Sequence, residues 1–274
     1  MSRMPAPNRR TVLRMGLGLG LGTALGAAAA LPRAVAETAP TYQSGSFISA
    51  ARGGLRTNWA IARPPGQSAA LRPVIALHGK GSDAATVMAG GVEQGLADAV
   101  AAGIPPFAVV AVDGGGGYWH KRASGDDAGA MVLDELLPML ADQGLDTSRV
   151  GFLGWSMGGY GALLLGSRLG PARTAAICAV SPALWTSPGA AAPGAFDDAD
   201  DYAANSVWGL PALGAIPIRI DCGSGDPFAA ATRAFIAQLP SPPAGGFSPG
   251  GHDGGFWSAQ LPAEISWLAP ILVA

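Results

Sequence analysis

Val150-Gly151-Phe152-Leu153-Gly154-Trp155-Ser156-Met157-Gly158-Gly159-Tyr160-Gly161-Ala162-Leu163-Leu164-Leu165 is the stretch that decides the architecture. Val150 to Leu153 is short and apolar and reads as a buried strand. It runs directly into Gly154-Trp155-Ser156-Met157-Gly158, a G-x-S-x-G pattern, and Met157 to Leu169 then reads as a helix. Strand, sharp turn and helix in succession form the setting in which this pattern presents a nucleophilic serine. The reason is steric. The serine is forced into a strained turn that lifts its oxygen clear of the sheet. Glycines on either side remove side chains that would collide with the neighbouring strand and helix. The helix N-terminus adds positive potential where negative charge would develop.

Outward from this elbow, short apolar runs alternate with longer helical ones. Val74 to Leu77, Phe107 to Val112, Arg149 to Leu153, Ala175 to Val180 and Ile216 to Ile220 read as strands, with a weak one near Phe247. Asp83 to Ala102, Ala128 to Ala141, Met157 to Leu169, Phe228 to Leu239 and Gly255 to Leu272 read as helices, the last broken by Pro262 and Pro270. Ahead of them, Tyr42 to Ala50 and Thr57 to Arg63 flank Arg52-Gly53-Gly54 and predict an antiparallel hairpin. Alternating strands and helices imply an α/β fold with a mostly parallel central sheet and helices on both faces. Residues 182–215 interrupt the alternation. They carry Trp185, Trp208 and the acids Asp197, Asp198, Asp200 and Asp201. A connection of that length suggests a lid-like insertion, against the plainer reading of a surface excursion.

The chain has 274 residues, 49% hydrophobic and 13% charged, which excludes disorder and supplies one large core. The first 36 residues hold five arginines (Arg3, Arg9, Arg10, Arg14 and Arg33) and no acid. Without them, 12 basic face 19 acidic side chains, a net of −7. That balance leaves no electrostatic footprint for nucleic acid or an anionic membrane surface. Arg9-Arg10, the apolar run Met15 to Leu31 and Ala34-Val35-Ala36 read as a cleaved twin-arginine-type signal peptide over 1–36. The run has 17 residues and five glycines, too weakly apolar for a lasting membrane span. Residues 37–274 are then the exported domain, in the cell envelope or outside it. The only cysteines, Cys178 and Cys222, sit in core strands. They are expected to be buried free thiols, too few and wrongly placed for a metal site.

A serine hydroxyl needs a base to take its proton, and histidine titrates in the right range. In this architecture the order along the chain is serine, acid, histidine. Of His78, His120 and His252, only His252 follows Ser156. The acid belongs after the next-to-last strand, where Asp226 follows a Gly-Ser-Gly turn and Asp221 is the reserve. Asp253 adjoins the histidine too closely to orient it. Acyl transfer also needs backbone N–H donors aimed at the oxyanion. Met157 offers one, and Lys80 or Gly79, in Leu77-His78-Gly79-Lys80, the other. His78 reads as the tie of that loop. Trp119, Trp155 and His120 are expected to wall the substrate pocket. Lys121, Asp126 and Asp127 either touch a polar part of the substrate or brace their loop. Gly114 to Gly117 match no nucleotide-binding pattern.

Leu77-His78-Gly79, Gly154 to Ala162, Asp226, and Gly251-His252-Asp253 with Phe256-Trp257 together resemble the α/β-hydrolase family known as "Putative esterase". It includes esterase D and, more distantly, the antigen 85 mycolyltransferases. The resemblance covers most of 74–268. It implies carboxylester hydrolysis through an acyl-enzyme, with Ser156, His252 and Asp226 as the triad and neither metal nor cofactor. The substrate would be a small-molecule, lipid or glycan ester. The Gly/Ala-rich composition and leader look actinobacterial. One departure stands out: antigen 85 uses a glutamate where this chain has Asp226, which weakens any claim of mycolyl transfer. Two alternatives share the scaffold: acyl transfer to a cell-envelope sugar, and a catalytically silent binding protein.

Overall fold

The computed structural model describes residues 41–274. The leader expected over 1–36, with its cleavage after Ala36, lies outside the described residues. An eight-stranded sheet organises the rest, in the order β1-β2-β4-β3-β5-β6-β7-β8. The strands are β1 (Tyr42–Ser49), β2 (Leu55–Ala62), β3 (Pro73–Leu77), β4 (Ala108–Val112), β5 (Val150–Trp155), β6 (Thr174–Val180), β7 (Ile218–Gly223) and β8 (Ala244–Ser248).

The expected hairpin is there: β1 and β2 pair antiparallel from Tyr42↔Ala62 to Ser49↔Leu55. β2 continues the antiparallel pairing onto β4, and all later pairs are parallel. Every residue of β3, β4 and β6 is buried, as covering both faces of a parallel sheet requires. β8 adds the weakly signalled strand at the edge.

Helices α1 (Ala84–Ala89) and α2 (Val92–Ala101) cover one face together with α8 (Gly254–Val273). The other face carries α3 (Ala128–Ala130), which runs through a π-helical stretch, Met131–Leu136, into α4 (Leu137–Asp142). Beside it lie α5 (Met157–Leu169), α6 (Ala199–Ala204) and α7 (Ala229–Ile236).

Two helices depart from the expected pattern. The single helix expected over 83–102 is split at Gly90-Gly91, where Gly91 adopts φ +94°. That conformation is open to glycine and ends a right-handed run. α8, in contrast, passes unbroken through Pro262 and Pro270. Both prolines lie on its exposed side. The carbonyls they leave unpaired belong to Ser258 and Ser266, also exposed, where water can satisfy them. The opposite side buries Leu261, Ile265, Leu268 and Leu272 against the sheet, and that packing holds the helix together.

The excursion over 182–215 contains α6 and two short 3₁₀ turns. It is fastened to the body. Tyr160 donates its hydroxyl to the Asn205 carbonyl at 2.6 Å, Arg168 donates to Asn205 Oδ1 at 2.6 Å, and Arg122 reaches Asp197 and the Ala195 carbonyl at 2.7 Å each. Cys178 and Cys222 are buried free thiols. Among the described residues, no helix is long and apolar enough to cross a membrane.

Candidate active site

Ser156 sits between β5 and α5 with φ +56° and ψ −117°. A non-glycine residue rarely adopts such a conformation, and it persists only where the surroundings enforce it. Here they do. A Cβ added to Gly158 would stand 1.8 Å from the Leu77 carbonyl oxygen, and one added to Gly154 would stand 2.1 Å from the Gly158 oxygen. Strand β3, the elbow and the first turn of α5 therefore touch backbone to backbone. Ser156 holds the cap position of α5 but gives its side chain no capping role. Its Oγ lies 2.8 Å from His252 Nε2.

His252 stands in the loop between β8 and α8. Its Nδ1 lies 2.8 Å from Asp226 Oδ2. Asp226 follows β7, is 5% exposed, and also accepts from the Phe228 N–H at 2.8 Å. Burial alone would raise the Asp226 carboxyl. The hydrogen bonds from His252 and Phe228 outweigh it and hold the group below the ordinary carboxylate range. An ionised carboxylate only accepts, so Nδ1 carries the proton and Nε2 is left to accept from the serine hydroxyl. Trp257 stands perpendicular to the imidazole at 5.2 Å, and Phe228 packs on it at the same distance.

The other acids are otherwise engaged. Asp221 accepts from Arg219 at 2.5 and 3.1 Å. Asp253 caps α8 through the Phe256 N–H at 3.0 Å. The loop after β3 lies alongside the elbow: a Cβ on Gly79 would be 3.6 Å from that of Ser156. His78 spans its loop and the next, with Nδ1 2.8 Å from the Gly79 carbonyl and Nε2 accepting from the Gly114 N–H at 2.9 Å. Burial keeps this imidazole below its ordinary pKa. Lys80 turns its side chain aside, to the Pro193 carbonyl at 3.3 Å. Met157 opens α5, so its N–H is one of those a helix leaves without an intrahelical carbonyl.

Ser156 and His252 open onto a cavity of about 500 Å³. Its walls include Thr86, Val87, Val92, Trp155, Trp257 and Leu261, with Gly79 and Lys80 at the side of the serine. Of the three residues expected to wall a pocket, Trp155 does so. Trp119 and His120 do not. Both are 0% exposed and absent from the cavity lining. Trp119 fills the space that glycines vacate: a Cβ on Gly114 or Gly161 would come within 2.4 Å of its ring. His120 stacks on Phe196 at 5.3 Å and faces the Ala195 carbonyl at 3.1 Å, tying down the excursion.

Asp126 and Asp127 brace their loop, through Arg52 at 2.9 Å and the Ala130 N–H at 2.8 Å. No residue of 182–215 lines the cavity. The walls from α1, α2 and α8 carry no clear mark in the sequence; their one local signal is the Gly90-Gly91 break between α1 and α2.

Trp119→Ala is accordingly expected to act on stability. Removing a fully buried tryptophan costs about 4 kcal/mol. A large drop in Tm with KM unchanged in the surviving folded fraction is the expected outcome. A raised KM at unchanged Tm would put Trp119 back in the pocket.

A family model described as "Putative esterase" matches residues 54–268. No curated protein matches the chain. Among solved structures, a ferulic acid esterase is 19% identical over 84% of this chain and 98% of its own, with a TM-score of 0.73. An S-formylglutathione hydrolase from Agrobacterium tumefaciens is 21% identical over 84% and 95%, with 0.70. Mycobacterium tuberculosis MPT51 is 19% identical over 85% and 100%, with 0.67. At these identities the structural likeness speaks for the shared fold.

Proposed function

Because this chain belongs to the "Putative esterase" family, we propose that it cleaves its carboxylic ester by attack of Ser156, through an acyl-enzyme. The observation that carries the reading is the continuous chain Asp226–His252–Ser156, closed by two contacts of 2.8 Å. His252 Nε2 takes the hydroxyl proton as Ser156 Oγ bonds to the ester carbonyl carbon. The carbonyl oxygen becomes an oxyanion, met by the Met157 N–H and an N–H from Gly79 or Lys80. Collapse breaks the bond to the alcohol, which leaves with the proton from His252. Water then repeats the sequence on the acyl-enzyme and releases the acid. Asp226 keeps the imidazole in the working tautomer and stabilises its cation without taking the proton.

The cavity supports an uncharged, largely apolar group on one side of the ester. Its walls are mainly aliphatic and indole surface, and Lys80, the one residue with a fixed charge among the described residues that line it, turns its ammonium away to the Pro193 carbonyl. The arginine pair and apolar run ahead of Ala36 support action outside the cytoplasm.

The test is covalent labelling by a fluorophosphonate. The folded wild type is expected to take up one label per chain and Ser156→Ala none. A folded wild type that stays unlabelled overturns the proposal and favours a silent scaffold.

A further inference from the structure

The buried stripe of α8 contains one residue that does not belong in a core. Leu261, Glu264, Ile265, Leu268 and Leu272 recur at helical spacing on the side facing the sheet, and all are buried. Glu264 is 0% exposed, and among the described residues neither of its carboxylate oxygens has a hydrogen-bond partner. Buried polar groups are nearly always satisfied, so two orphaned oxygens on one carboxylate point to something that would occupy them.

Opposite Glu264, on the same face of the sheet, stand Cys178 of β6 and Asp221 of β7, also buried. One donor atom from each of the three lies within 4.8 Å of the other two. We propose that Cys178, Asp221 and Glu264 form a binding site for one divalent cation of the zinc type, clamping α8 onto β6 and β7.

Charge, spacing and donor chemistry agree. Fully ionised, the three ligands carry three negative charges. Arg219, paired with Asp221, returns one positive charge. The remainder is two negative charges in a dry interior, which a divalent cation cancels. Metal-free, Glu264 and Cys178 avoid charge by holding protons. Burial, with the Asp221 charge adding and Arg219 opposing, pushes the Glu264 carboxyl up to about 8, and burial raises the Cys178 thiol well above its ordinary range. A cation entering the site displaces those two protons, one from each group, and takes their place.

Neither Glu264 oxygen makes a hydrogen bond to Cys178 or Asp221, although a donor atom of each lies within 4.8 Å. Ligands at roughly 2.0–2.3 Å from a shared zinc ion fall within that limit of one another. One thiolate beside two carboxylates suits zinc and disfavours magnesium and calcium, which take oxygen ligands alone. The cysteine count carries no hint of this, because two of the three ligands are acids contributed by β7 and α8. None of the three lines the catalytic cavity, so the ion would serve the fold and not the hydrolysis.

Cadmium is the probe, because its bond to a thiolate gives an ultraviolet charge-transfer band. The full chain, stripped with chelator and still folded, is expected to develop that band to one cadmium per chain. Zinc is expected to compete it away and to raise Tm. Cys222→Ala should keep the band and Cys178→Ala should lose it. Glu264→Gln should weaken cadmium binding by about 100-fold or more. The chain has two cysteines, so Cys222→Ala decides the matter alone if Cys178→Ala does not fold. No band in folded wild type, or a band that disappears with Cys222, overturns the site. Either result leaves the role of Ser156 untouched, since fluorophosphonate labelling reads that separately.

Discussion

His252→Ala is expected to lower kcat on an activated aryl ester by about a million-fold, and adding Ser156→Ala to it should cost almost nothing more. The three residues work as one device. Without a base the hydroxyl keeps its proton, and without the hydroxyl the base has no proton to take. Losing either member therefore removes nearly the whole covalent route, as in serine enzymes where single and multiple knock-outs converge. Asp226→Asn should be milder, on the order of 10⁴, because an amide can donate to Nδ1 and hold the wrong tautomer while the geometry survives. KM should move little in all of them, as the cavity wall is intact. Independent, multiplying losses in the double variant would mean that His252 and Ser156 act separately, and the coupled mechanism would fall.

The elbow is legible in the sequence because its pattern is local. Strand, glycine, serine, glycine and helix are contiguous, although the backbone that Gly158 makes room for is that of Leu77 in the distant strand β3. His252 and Asp226 need only chain order and a turn signal, and the fold brings His252 within hydrogen-bond distance of both Ser156 and Asp226. Asp221, the reserve, is instead taken up by Arg219 two residues earlier on the same strand.

What stays hidden depends on packing between distant segments. Trp119 follows four glycines at the ligand-binding end of a strand, where an aromatic suggests a pocket wall. Only the tertiary fold shows that Gly114 and Gly161 leave room for its ring in the core. The cavity itself is walled by α1 and α2 on one side and by α8, far along the chain, on another. Helix α8 runs through two prolines because its buried side, and not its local propensity, decides whether it forms.

The same backbone proximity that shapes the elbow makes Gly158→Ala the most damaging small substitution available here. An added Cβ would lie 1.8 Å from the Leu77 oxygen, 2.5 Å from the Leu77 carbon and 2.9 Å from the His78 oxygen. All three are main-chain atoms, so no side chain can swing aside. Relief requires moving α5 away from β3 by more than an ångström, and both are central to the core. Such displacements belong to the exceptional losses above about 5 kcal/mol, against a total stability of roughly 5–15 kcal/mol for a domain. The expected outcome is an insoluble or unfolded chain, read as lost far-ultraviolet ellipticity and no thermal transition. Gly116→Ala supplies the control. Its added Cβ would meet nothing within 4 Å, and its φ lies outside the left-handed region. That variant should melt within a degree or two of wild type, because alanine there only narrows the unfolded ensemble. If Gly158→Ala folded and melted like Gly116→Ala, strand β3 could not lie against α5 as described. The positive φ of Ser156 would then have no structural cause, and the argument for a forced, exposed nucleophile would lose its footing.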